Sequence, residues 1–478
     1  MIDETKGADP QMSSEAPGSL WGARFESAMA PEMVELNQSL PVDSCLWRED
    51  IRGSEAWAQA LGRAGVLTQS ELGSVINGLQ GVALRIETEG FDQAQEEDIH
   101  SVVERMLLEE VGSLGGKLHT GRSRNDQSAT GVRLFGMSAC DQVRDHLLGL
   151  CRALHELARR GLHLPMPGYT HLQQAQPIRA AQWALSHVFA FLRDIERIEV
   201  ARSAAAVLPL GSGAIAGCPF PIDRKALKDE LGFERISSNS VDAVADRDWI
   251  CDLLYAGAMI GVHMSRLSED LVLFSSSGFG FVRLSDEFST GSSLMPQKRN
   301  PDVAELARGK SGRLHGNLVT LLTLLKGLPT GYNRDLQEDK EALFDTCTTL
   351  DITVPALAGG IRTAEFVPEN LEGAIDTQLF ATDLADYLVR KGVPFRETHG
   401  VVGRLVRLAE GEGIPLSDLS IHAMQNEHEA FDDDVVEVFD WERSTEVRDT
   451  IGGTSLRAVQ EQLEEVSSQF SAIEASTE

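Results

Sequence analysis

Four stretches of this chain carry helical apolar spacing for much longer than an ordinary globular helix. Residues 129–161 place Val132, Leu134, Met137, Val143, Leu147, Leu148, Leu150 and Leu154 close to a three-four repeat. Residues 178–206 and 246–280 continue in the same way, and 301–327 reads as a fourth long helix starting after Pro301. β-Branched runs with strict alternation are rare, and proline sits near the starts of the helical runs and seldom within them. Helices of roughly thirty residues are too long for one small compact domain. They point to an all-α bundle shared between subunits. No repeat with a period of about 20–50 residues is present, so the chain is not a solenoid.

At about 150 residues per domain, 478 residues suggest roughly three domains. Residues 1–17 read as a disordered arm, 18–121 as an N-terminal helical domain and 122–370 as the central long-helix bundle. Residues 371–478 form a C-terminal helical domain whose tail, 466–478, is expected to fray. Two segments interrupt the helices: LPLGSGAIAGCPFPIDR at 208–224 and the polar stretch 283–300. Polar breaks between strong helices are where chemistry tends to sit on a rigid scaffold.

Composition excludes several function classes. Acidic residues number 73 against 43 basic ones, a net charge of −30, which disfavours a sequence-independent grip on nucleic acid. An anionic substrate remains compatible, since a site needs only a few local cations. No apolar run reaches the roughly 18 residues of a membrane span, and the nearest, LVTLLTLLKGL at 318–328, holds Lys326. The first twenty residues have no apolar core, so they are not a signal peptide. The six cysteines, Cys45, Cys140, Cys151, Cys218, Cys251 and Cys347, lie far apart without metal-ligand spacing and read as buried small hydrophobes in a reducing compartment. A soluble, cytoplasmic protein without metal or cofactor is expected.

The segment Ser289 to Asp302, STGSSLMPQKRNPD, carries the most chemistry. Its small residues and glycine allow close backbone approach to a ligand, its hydroxyls offer a nucleophile or base, and Lys298 supplies positive charge. Asn300-Pro301-Asp302 then opens a helix whose N-terminal dipole favours anions. Such an arrangement stabilises a developing oxyanion. On composition alone, a flexible Ser/Gly loop ending in a helix cap accounts for it equally well.

GSSLMPQKRNPD resembles the signature loop of the fumarase/aspartase superfamily, whose members eliminate across a succinyl group to release fumarate. KLHTGRSRNDQ (117–127), GYTHLQQAQP (168–177), YNRDLQEDKE (332–341) and TDLADYLVRKGVPFRETH (382–399) narrow the resemblance to the argininosuccinate lyase family. LWGARF (20–25) and IGGTS (451–455) agree, so the resemblance spans roughly 18–465. It implies an all-α, three-domain subunit, a homotetramer with a twenty-helix core, and active sites shared between subunits. It also implies elimination of argininosuccinate to arginine and fumarate, the last step of arginine biosynthesis, with no cofactor.

Residue roles follow from the same resemblance. Ser292 matches the catalytic base, which removes a proton next to a carboxylate. A serine serves as base only when its alkoxide is stabilised, which falls to Lys298 and the loop's N–H groups. Lys298 also matches the cation that holds the aci-carboxylate intermediate. His171 matches the proton donor at the leaving group, and Glu305 the acid paired with it. Because guanidine is strongly basic, the donor's help can be modest. Ser39, Arg124, Asn125, Thr170 and Asn300 match contacts to the succinyl carboxylates. Tyr332, Gln337 and Lys340 match contacts to the carboxylate of the arginine end, and cations suit a substrate with three carboxylates. The remaining histidines, including His100, His119, His187, His263 and His399, are read as structural.

The sequence departs from the family pattern in few places. Lys298-Arg299 stands where two lysines are common, Gln174 and Gln182 replace frequent residues, and Asp246, beside Arg247, replaces a frequent Glu. Two other readings stay open: a lyase acting on another N-substituted aspartate, and a structural relative of the lens-protein kind that has lost turnover.

Overall fold

The computed structural model describes residues 29–91 and 96–475. The arm expected at 1–17 and the LWGARF segment lie outside the described residues. Contacts divide the chain into two compact units, each built from three separated segments. The first comprises the described residues of Met1–Ser138 with Ser203–Asp248 and Thr323–Glu341. The second comprises Ala139–Arg202, Trp249–Leu322 and Ala342–Glu478. Several of these boundaries fall inside long helices.

The long helices run Arg124–Arg160, Ala180–Ala205, Asp248–Ser275 and Asp302–Leu325, each within a few residues of its expected span. A further long helix, Asp339–Thr363, continues through Pro355. Among the described residues no helix is long and apolar enough to cross a membrane.

In the first unit, helix Trp47–Arg63 packs on Gln69–Glu89 and Ile99–Val111 around the fully buried Trp57, Leu61, Leu79, Val82 and Ile99. Thr68 and Glu71 form a reciprocal capping box that starts the second of these helices. In the second unit, Gly257 and Gly261 lie on helix Asp248–Ser275. A Cβ at Gly257 would sit 2.9 Å from Thr346 Cγ2, and one at Gly261 would sit 3.0 Å from Leu314 Cδ1. The two glycines therefore set how closely the helices bearing Thr346 and Leu314 approach.

Strand structure is confined to short pieces, which keeps the fold all-α in character. Pro165–Thr170 and Gln173–Arg179 form an antiparallel hairpin, and two-residue pairs join 207–208 to 235–236 and 282–283 to 365–366.

Two expectations need correction. The tail expected to fray is helical through Ala475, because Val466 and Phe470 are buried and the Phe470 ring meets His155 edge-on at 5.7 Å. The six thiols are free, but only Cys140, Cys151 and Cys347 are buried; Cys45 is exposed, and Cys218 and Cys251 are half-buried.

Candidate active site

The signature loop hangs from a pinched neck. Asn300 N donates to Thr290 O at 2.8 Å, Thr290 N donates back to Asn300 O at 3.4 Å, and Asp302 accepts the Thr290 N–H at 3.0 Å and its hydroxyl at 2.5 Å. Below the neck, the Phe288 ring occupies the space where Gly359 lacks a side chain; a Cβ there would meet Phe288 Cζ at 2.3 Å. Ser285 and Thr363 share a hydrogen bond of 2.8 Å, and Arg299 ties the loop to Leu284 O at 3.0 Å and to Asp286. The base of the loop is thus anchored, while residues 293–299 are exposed.

Within this frame Ser292 Oγ accepts the backbone N–H groups of Leu294 at 3.3 Å and Met295 at 3.1 Å. Two donors aimed at one hydroxyl oxygen favour negative charge on it. Lys298 Nζ donates to Asn300 Oδ1 and makes no hydrogen bond to Ser292. The cation therefore stands at the neck with Asn300, and the donors on Ser292 Oγ come from the loop backbone. Glu305 is exposed in the first turn of helix Asp302–Leu325.

Thr170 ends the first strand of the hairpin, and His171-Leu172 is its two-residue turn. Both turn residues have φ of 56°, the pairing of a type I′ turn, which normally calls for Asn or Gly. Holding two ordinary residues there is costly, and such strain is characteristic of functional sites. It presents the His171 side chain at an exposed tip. No hydrogen bond joins His171 to Glu305 within the single chain.

The first unit collects a second group. The GRSRND motif starts helix Arg124–Arg160, with Asp126 Oδ1 accepting Ser123 N at 2.9 Å. Asp126 Oδ2 also accepts Gly211 N at 3.0 Å and Gly213 N at 2.8 Å, while Asn125 Nδ2 donates to Ala214 O at 3.3 Å. The 208–224 connection is thereby fastened to the motif. Complete burial pushes the Asp126 carboxyl up to about 6, against these three backbone donors.

Arg124 is already engaged. It lies 3.4 Å from Asp98 and 3.5 Å from Glu104, and donates to Gln127 Oε1 at 2.9 Å. Burial opposes charge on Asp98, but His100 and Arg124 outweigh it and hold that carboxyl below its ordinary range. Gln127 in turn donates to the buried Asp50 at 2.7 Å, which also bonds His100 at 2.7 Å.

Ser39, Gln337 and Lys340 line one cavity of about 460 Å³. Ser39 Oγ donates to Asp43 at 2.6 Å, and Lys340 is 5% exposed. Ser39, matched in sequence to the succinyl contacts, thus stands with the pair matched to the arginine end. Tyr332 is half-buried and is not among that cavity's lining residues. Among the described residues no cluster of His, Cys, Asp or Glu is arranged to hold a metal.

A family profile described as lyase matches residues 23–316, and one described as argininosuccinate lyase C-terminal matches 378–446. Argininosuccinate lyase from Roseiflexus castenholzii is 50% identical over 93% of this chain and 98% of its own length. The Herpetosiphon aurantiacus protein of that name is 51% identical over the same shares. The chain belongs to the argininosuccinate lyase family. A solved structure of an EDDS lyase variant with bound fumarate superposes with a TM-score of 0.83 at 26% identity, covering 94% of this chain and 92% of that one. A 3-carboxy-cis,cis-muconate lactonizing enzyme from Pseudomonas putida, at 18% identity and a TM-score of 0.70, shares the fold.

Within each of the two groups of site residues, taken by itself, several residues that shape it carry no catalytic assignment from sequence. Asp302 clamps the loop neck, Asp126 fastens the 208–224 connection, and Asp50 and Gln127 hold Arg124. The Ser123-to-Asp126 spacing is of the capping-box kind and signals Asp126 as a helix cap, though not its bonds to Gly211 and Gly213. The others depend on contacts across long sequence separations and have no local signature.

Proposed function

We propose that this chain cleaves argininosuccinate to arginine and fumarate by β-elimination. The observation that carries this reading is about 50% identity, over 93% of the chain, to relatives named for that activity.

In the proposed step Ser292 Oγ takes the proton from the carbon next to a succinyl carboxylate. The electron pair spreads onto that carboxylate, which Lys298 and Asn300 receive at the loop neck. The carbon–nitrogen bond then breaks, the carbon–carbon double bond of fumarate forms, and the leaving guanidine takes a proton from His171. The Leu294 and Met295 N–H groups on Ser292 Oγ support the first transfer. The cavity of Ser39, Gln337 and Lys340 suits the α-carboxylate of the arginine end.

The proposed assembly is a homotetramer in the cytoplasm, with each site completed by neighbouring copies. Two features support sharing: His171 stands at an exposed tip without a hydrogen-bond partner among the described residues, and Tyr255, Leu306, Val319, Leu322 and Ile352 are exposed apolar residues on the long helices. Burying such a face is the ordinary reason long helices associate.

Incubation with argininosuccinate tests the activity, with fumarate followed by its ultraviolet absorbance and arginine by chromatography. Equimolar release of both is expected. A folded protein that releases neither would place the chain among inactive relatives, and release of fumarate only from another N-substituted aspartate would reassign the substrate. Light scattering tests the assembly, and a monomer at working concentration would refute it.

A further inference from the structure

Lys340 sits at the end of a row of charged residues that alternate in sign, all of them buried except the half-buried Asp246. Arg133 donates to Ala204 O at 3.0 Å, to Ala205 O at 3.1 Å and to Asp246. Next along the chain, Arg247 donates to Asp246 O at 3.0 Å and, through Nε, to Asp339 Oδ2. The other oxygen of Asp339 accepts Lys340 Nζ at 3.1 Å. Asp339 is 0% exposed and Arg247 is 3% exposed, so these pairs are held away from water. Lys340 then lines the cavity with Ser39 and Gln337.

Neighbouring residues on a helix do not face one another, so the contact between Asp339 and Lys340 bends the lysine stem back along the helix start. A lysine is a point charge on four flexible carbons, and anchoring it in advance removes an ordering cost from binding. Arg247 occupies one Asp339 oxygen and so sets the carboxylate plane. The second oxygen takes one of the three ammonium N–H groups and leaves two for a ligand carboxylate.

We propose that Arg247 and Asp339 are positioning residues for Lys340, and through it set the affinity for the α-carboxylate of the arginine end. This rests on the argininosuccinate reading above. It gives the Asp246-Arg247 segment, whose sequence departs from the family pattern, a place in substrate binding although neither residue touches the cavity.

The test is a double-mutant cycle. Arg247→Lys, Arg247→Gln, Asp339→Asn and Lys340→Ala are compared for kcat and KM with argininosuccinate and for inhibition by L-arginine. Loss of a charge-assisted bond predicts that Asp339→Asn and Arg247→Gln raise KM and the arginine inhibition constant about ten- to a hundredfold. The turnover number should stay within about threefold, and Arg247→Lys, which keeps the charge, should recover part of the affinity. In the Lys340→Ala background, Asp339→Asn or Arg247→Gln should add less than about twofold. Additive effects, or a fall in turnover at unchanged KM, would overturn the proposal. Where Asp339→Asn does not fold, the Arg247 pair of variants decides the same question. A wild-type protein that releases no fumarate from argininosuccinate would sink the functional reading itself, whereas an active wild type with an additive cycle sinks only the positioning role.

Discussion

Replacing Ser292 by alanine separates chemistry from folding. The change removes one oxygen, which accepts N–H groups from Leu294 at 3.3 Å and Met295 at 3.1 Å. Each such bond in a half-exposed loop contributes about 1 kcal/mol or less. The neck made by Thr290, Asn300 and Asp302 does not involve Ser292, so the loop keeps its anchor. Unfolding free energy should therefore shift by no more than about 2 kcal/mol. Activity should behave differently. Loss of a general base lowers turnover by about 10²- to 10⁴-fold, equivalent to about 3–5 kcal/mol of barrier. The assay is fumarate release at saturating argininosuccinate, with urea unfolding measured on the same preparation. Turnover within about threefold of wild type would mean that another group takes the proton. A loss of several kcal/mol in stability would mean that the hydroxyl holds the loop rather than the reaction.

The other predictions use the same two readouts. Lys340→Ala should weaken binding and lower turnover much less, as the proposed role of Lys340 in holding substrate away from the bond that breaks requires; unchanged KM with a large turnover loss would contradict this. His171→Gly removes a left-handed strain of about 1–2 kcal/mol and adds chain freedom costing about 1 kcal/mol. Stability should stay within about 1 kcal/mol while fumarate release falls, though less than in Ser292→Ala; unaltered release would remove His171 from the reaction. Asp126 carries a pH signature. Its folded-state carboxyl lies near about 6 against an ordinary 3.8, so burial penalises its charged form, and its contribution lowers stability as pH rises through that window, by about 3 kcal/mol in all. Asp126→Asn should flatten this part of the stability profile between pH about 4 and 6, and an unchanged slope in urea unfolding across that range would refute the assignment.

The argininosuccinate lyase family, the all-α character and the long helices were determined by the sequence, because a 3.6-residue apolar period and a short reactive loop are local properties. Ser292, Lys298 and Asn300 lie close enough in sequence that one loop must carry them together. Even there, only the fold decided the division of labour. The backbone of Leu294 and Met295 turns onto Ser292 Oγ, while Lys298 goes to Asn300. The hairpin was hidden because its two-residue turn uses His171 and Leu172 where glycine or asparagine normally signals such a turn. The helical tail was hidden because Ser and Gln surround Val466 and Phe470, and burial rather than propensity keeps it wound. Ser39 meets Gln337 and Lys340 across about three hundred residues of chain, and Arg247 reaches Asp339 across about ninety. No window of sequence can register such pairings, since a charge buried in one segment is offset by a partner chosen by the path of the backbone. Residue type settles which chemistry is available, and tertiary packing settles which oxygen and which nitrogen face each other.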